Sequence, residues 1–257
     1  TIFENYATFN GGVLLLGLIY FSIQIYCDFS GYSDIAIGTS KLFGFELMSN
    51  FKFPYFSRDI GEFWRRWHIS LSTWFRDYLY VPLGGSKGGK WSSITNIFII
   101  FIVSGFWHGA NWTFIMWGLM HAMIYIPLFL KGKNRQHTTS TVAENNLFPS
   151  IKELLEMIIT FFSVTIAWVF FRSENVTTAF EYLSIMISKF GLPFTHREGI
   201  FFVLITILLD WFAKKDSRNP INIKDKYHRW TTYVVLFYFI FAHFEIINLS
   251  QFIYFQF

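Results

Sequence analysis

Charge and cysteine are both scarce in this chain. Of 257 residues only 15% are charged, six are proline and one, Cys27, is cysteine. A single cysteine excludes an internal disulfide and any multi-cysteine metal site, and it leaves the redox compartment open. Its simplest role is that of a small buried apolar side chain. The sequence contains no H-E-x-x-H and no G-x-x-x-x-G-K-[ST], so the common zinc-protease and phosphate-loop chemistries are excluded. PLGGSKGGK, at 82–90, is a weak match to a phosphate loop, with Trp91 where that motif needs serine or threonine. His68, His108 and His121 lack the short spacing and the carboxylate companions of a metal site, so no bound metal is expected. No repeat, low-complexity tract or nucleic-acid motif appears. Thr1 opens the chain without a signal peptide, so a fragment of a longer protein is expected.

What is present is apolar surface. Hydrophobic residues make up 53% and aromatics 22% of the chain, and mean hydropathy is +0.37. That composition, with apolar runs near membrane-spanning length, predicts an all-α, polytopic helical membrane protein. Six spans are expected, at 12–27, 93–107, 112–130, 154–171, 200–213 and 231–244, the last two short for a crossing. Asp28, Ser30, Ser33 and Asp34 interrupt the pattern after the first span, either lining a cavity or marking the water interface. Residues 46–90 mix Arg, Trp, Tyr and Leu around Pro54 and Pro82, which suits short interfacial or re-entrant helices, one of them capped by Ser57 or Asp59. The tract at 131–146 reads as a solvated loop.

Basic residues alternate along this layout. The connections at 41–90, 131–152 and 214–229 hold eight, four and six of the 21 lysines and arginines, and everything else holds three. Cytoplasmic connections carry such an excess, so six spans with both ends outside are expected in a cytoplasmic membrane.

Two histidines, each preceded by tryptophan, stand forty residues apart: His68 in EFWRRWHIS and His108 in VSGFWHGA. An ionisable side chain at the end of an apolar helix is costly unless it meets a partner or a water-filled cavity, which makes His108 a candidate general base. A helix-end histidine bonded to a carbonyl is the plain alternative. Arg65 and Arg66, with Trp64, Trp67 and Trp107, offer an anion-binding aromatic surface beside the histidines. Arginine and tryptophan also anchor helices at membrane surfaces without any substrate. His121, His137, His196, His228 and His243 read as structural.

The stretches YCDFSGYSDIAIG (26–38), NFKFPYFSRDIGEFWRRWHISLSTWFRDYLYVPLGG (50–85), SGFWHGANWTFIMWGLMHA (104–122), AWVFFRSEN (167–175) and the terminal FIYFQF resemble the membrane-bound O-acyltransferase family, in its alginate O-acetyltransferase-like branch. The resemblance implies that residues 1–257 are the C-terminal portion of one membrane domain, with further helices preceding it. It implies acyl transfer within the bilayer, from a cytoplasmic donor such as acetyl-CoA, to a polysaccharide outside the bacterial inner membrane. A separate periplasmic or surface-anchored SGNH-type transferase is the implied partner, with membrane lipid around the chain and no bound cofactor. His108 matches the family's catalytic histidine. His68 matches its second active-site position, which other branches fill with asparagine. The charge alternation sets these two toward opposite faces of the membrane. D-alanyl transfer to teichoic acid is the rival within the superfamily, and a transporter with proton-relaying histidines is the rival outside it.

Overall fold

The computed structural model describes residues 2–216 and 223–242, and all regular secondary structure among them is helical. Helix α1 (Gly11–Leu42) starts where Asn10 accepts a hydrogen bond from the Val13 amide, and it runs 32 residues. At ~1.5 Å per residue that is ~48 Å, well beyond a ~30 Å hydrocarbon core. The expected break at Asp28 is absent, because Asp28, Ser30, Ser33 and Asp34 all lie within this helix. Cys27 is exposed on it rather than buried. Position 27 falls on the outward side, next to the buried Ile25 and Tyr26, where an apolar thiol can face lipid at little cost.

Two short helices follow, α2 (Ile60–Arg66) and α3 (Ile69–Phe75), and Asp59 caps α2 through the Glu62 amide. Next come α4 (Gly89–His108), α5 (Trp112–Leu130) and α6 (Ile151–Arg172), the last opened by a capping box between Ser150 and Glu153. Helices α1, α4, α5 and α6 are the four among the described residues that are long and apolar enough to cross a membrane. Helix α7 (Val176–Ser188) occupies a stretch expected to be a loop. Asn175 caps it, and the hydroxyl of buried Tyr182 donates to the Leu14 carbonyl at 2.6 Å, fastening α7 to α1. Helix α8 (Ile200–Ala213) has 14 residues, and α9 (Lys226–Ala242) begins five residues before the expected sixth span. His243, the end of that span and FIYFQF lie outside the described residues.

Contacts sort the connections by end of the bundle as the basic residues do. At one end, Arg58, Arg65 and Arg66 bond to the 134–140 stretch, and Trp211 Nε1 donates to Leu147. At the other, Asn111 bonds to Glu174 and Asn10 to Leu192. These are the basic-rich and basic-poor sets, respectively.

The hairpin of α4 and α5 is unusually tight. A Cβ on Gly105 would lie 2.3 Å from the Phe114 carbonyl oxygen, and one on Gly118 2.1 Å from that of Phe101. The obstacle in both cases is backbone, so neither position can accept a side chain without moving a helix. Gly105→Ala or Gly118→Ala is therefore expected to destabilise the protein by about 1–3 kcal/mol or more, the usual cost of overpacking. A lowered midpoint of thermal unfolding in detergent would show it; an unchanged midpoint would contradict the close crossing.

Candidate active site

Helix α2 is set by one carboxylate. Glu62 is fully buried and receives the Arg58 backbone amide at 2.8 Å, Arg58 Nε at 3.1 Å and Arg58 Nη2 at 3.0 Å. Arg66 Nη2 joins from one turn on at 2.7 Å. Burial alone would raise the Glu62 carboxyl, but the bonds from Arg58 and the charge of Arg66 outweigh it and hold it below the usual carboxylate range. Arg58 also reaches Ser140 and Glu153, so the group ties α2 to the start of α6 and to the 131–150 connection. That connection, expected to be a free solvated loop, is pinned by these arginines.

Arg65, Arg66 and the tryptophans separate once placed. Arg65 lines a cavity of about 460 Å³ and donates to the Asn134 and His137 carbonyls at 2.8 and 3.2 Å. Arg66 is outside the cavity wall, held by Glu62 and by the Lys52 and Ser140 carbonyls. Trp64 and Trp67 line the cavity. Trp107 does not; it is 54% exposed and sets its ring edge against His108, 5.1 Å between centroids. The anion-binding surface expected of all five residues thus reduces to Arg65 with two indoles.

Both histidines line this same cavity. His68 sits between α2 and α3 with φ +43°, a left-handed backbone held by Asn50, whose carbonyl accepts from Ile69 and whose side chain accepts from Ser70. Its ring stands edge-on to Phe29 at 4.5 Å. Burial pushes its imidazole down to about 4, so it is neutral at physiological pH. His108 ends α4 and rests against Trp117 at 5.2 Å and Phe171 at 4.9 Å. Trp117 continues to Trp168 at 5.7 Å, Trp168 to Trp67 at 5.3 Å and Trp67 to Phe51 at 5.1 Å, beside His68. The two imidazoles are joined by one aromatic wall rather than parted by the membrane's thickness.

The cavity is elongated. Its α4 lining runs from Ile97 to His108, ~16 Å at helical rise, and Tyr80, Ser86, Asn134, Arg135 and Thr138 line it at the basic end. Asp28, Ser30, Ser33 and Asp34 are not part of its wall. Sequence reasoning passed over Ser104, Arg76, Arg135, Trp117 and Trp168, all of which line it. For Ser104 the signal was available in its spacing of one helical turn from His108. His121 stays outside, fully buried against Phe63, Trp64, Phe101 and Trp117.

A model of the membrane-bound O-acyltransferase family matches residues 9–169, which hold both histidines and most of the cavity wall. The chain belongs to that family. It is 44% identical over 173 residues to a probable alginate O-acetylase AlgI of Pseudomonas aeruginosa, covering 67% of this chain and 31% of that protein. To a peptidoglycan O-acetyltransferase of Helicobacter pylori it is 40% identical over 176 residues, 68% of this chain and 32% of the relative. A teichoic acid D-alanyltransferase of Streptococcus thermophilus is 33% identical over 168 residues, 61% and 40% of the two chains. The matches thus span about a third of the length of the O-acetylating relatives. Family membership favours acyl transfer over the transporter reading.

Removing the Glu62 charge would leave Arg58 and Arg66 buried without their shared partner, which ordinarily costs about 3–5 kcal/mol. Glu62→Gln is expected to lower the unfolding temperature clearly and to free the 131–150 connection to limited proteolysis. Wild-type protease resistance in that variant would show that the ion pairs do not hold the connection.

Proposed function

We propose that this chain carries the acyl-transfer chamber of a membrane O-acetyltransferase. In this reading an acetyl group passes across the bacterial inner membrane for O-acetylation of an extracytoplasmic polysaccharide of the alginate or peptidoglycan kind. The observation that carries the proposal is that His68 and His108, distant in sequence, line one apolar cavity whose basic end bears Arg65 and Arg135. The positive-inside rule makes that end cytoplasmic. An anionic thioester donor such as acetyl-CoA meets cations and hydroxyls there, while its acyl end reaches the aromatic wall beside the histidines.

His108 acts as the general base. Its imidazole takes the proton of the acceptor hydroxyl as that oxygen attacks the acyl carbon, and returns it to the leaving thiolate. The apolar surroundings exclude water, which would otherwise hydrolyse the donor. His68, neutral and fixed by its turn, orients the acyl group or the base. At the basic-poor end the acetyl group passes to a secreted SGNH-type transferase, which modifies the polymer.

Membranes bearing the complete protein together with its SGNH-type partner, supplied with labelled acetyl-CoA, are expected to acetylate the polysaccharide. His108→Ala should reduce this by about 10²- to 10⁴-fold, the usual contribution of a general base, at unchanged membrane abundance. Retained acetylation in that variant would sink the assignment. Incorporation of D-alanine in place of acetyl would move the protein to the D-alanylating branch and leave His108 in its role.

A further inference from the structure

Helix α4 presents more than His108 to the cavity. Ile97, Ile100, Phe101, Ser104 and His108 all line it, which is the spacing of a single helical face. Ser104 precedes His108 by one turn, which places their Cβ atoms roughly 6 Å apart on that face. Serines elsewhere in these helices bond back to the carbonyl four residues earlier: Ser22 to Leu18, Ser93 to Gly89 and Ser163 to Ile159. Ser104, only 5% exposed, makes no side-chain hydrogen bond among the described residues. A buried hydroxyl on a cavity wall that does not satisfy itself on its own helix keeps a donor for a bound molecule.

The chemistry in such a cavity needs a donor at that place. As a hydroxyl adds to an acyl group, the carbonyl oxygen gains negative charge, and an apolar wall offers it little support. Of the cations on the cavity wall, Arg65 is held by the carbonyls of Asn134 and His137 and Arg76 by Asp77, and Arg135 stands at the basic end, away from His108. Trp64 Nε1, Trp117 Nε1, Trp168 Nε1 and His68 Nδ1 have no partner either, but each atom is itself buried in the packing and presents no surface to a bound molecule. We propose that Ser104 donates a hydrogen bond to the acyl carbonyl oxygen in the transition state, while His108, one turn further on, handles the proton. This assignment rests on the acyl-transfer reading above. The bond from acceptor oxygen to acyl carbon forms and the carbon–sulfur bond of the donor thioester breaks. The acceptor's proton travels through His108 to the thiolate, and Ser104 keeps its own.

The test uses the complete protein in membranes, with acetyl-CoA concentration varied, comparing Ser104→Ala, Ser104→Thr and His108→Ala with wild type. Removing one such donor is expected to lower kcat by about 10²- to 10³-fold. The KM for acetyl-CoA should stay within about threefold, as for an interaction made only in the transition state. Ser104→Thr, which keeps the hydroxyl, should recover most of the rate, separating loss of the donor from loss of packing. A Ser104→Ala kcat within about threefold of wild type overturns the inference, as does a raised KM at unchanged kcat. Acetyl found on Ser104 by mass spectrometry after an acid quench overturns it too, since the residue would then be a nucleophile. If Ser104→Ala is active while His108→Ala is not, only this inference falls; if both variants are active, the acyl-transfer reading falls with it.

Discussion

Charge buried in an apolar protein must be neutralised where it lies, and Glu62 does this for Arg58 and Arg66 at the basic end of the bundle. Its carboxylate holds Arg58 and Arg66 together, and Arg58 extends the group to Glu153 in the first turn of α6. Two arginines and two carboxylates thus form a neutral cluster joining three parts of the chain. Without it, a seven-residue helix such as α2 has too few hydrogen bonds of its own to persist. With it, α2 becomes a fixed wall, and Trp64, Arg65, Trp67 and His68 acquire defined positions around the cavity.

The opposite wall depends on contact rather than charge. Gly105 and Gly118 bring the backbones of α4 and α5 together, which turns the cavity face of α4 and Trp117 of α5 toward the same space. Lipid offers no hydrophobic drive for helix association, so small residues and shape carry this pairing. The rings of Trp117, Trp168 and Trp67 then fill the distance between the two histidines. One side of the site is therefore assembled by electrostatics and the other by packing.

Much of this was legible beforehand. Apolar runs marked α4, α5 and α6 within a few residues, and the alternation of lysine and arginine sorted the connections to the ends that the contacts confirm. Local polarity misled at α1, where Asp28 and Asp34 suggested a break but the helix runs on to Leu42. It misled again at α7, whose Thr177, Glu181 and Ser184 face away from the buried Ala179 and Tyr182. In the site, the histidines stood out because a titratable group in an apolar run is conspicuous. Arg66 looked the same as Arg65 in sequence, and only the position of Glu62 one turn earlier separates a structural arginine from one on the cavity wall.

The turn at His68 has a consequence that extends past this chain. A φ of +43° is accessible to few residues with a side chain, and asparagine, aspartate and histidine are the ones that adopt it most readily. An asparagine at this position would need no change in the path of the backbone. The geometry of the turn thus favours His, Asn, Asp or Gly here, and all but the last would place a hydrogen-bonding side chain at the same point of the wall.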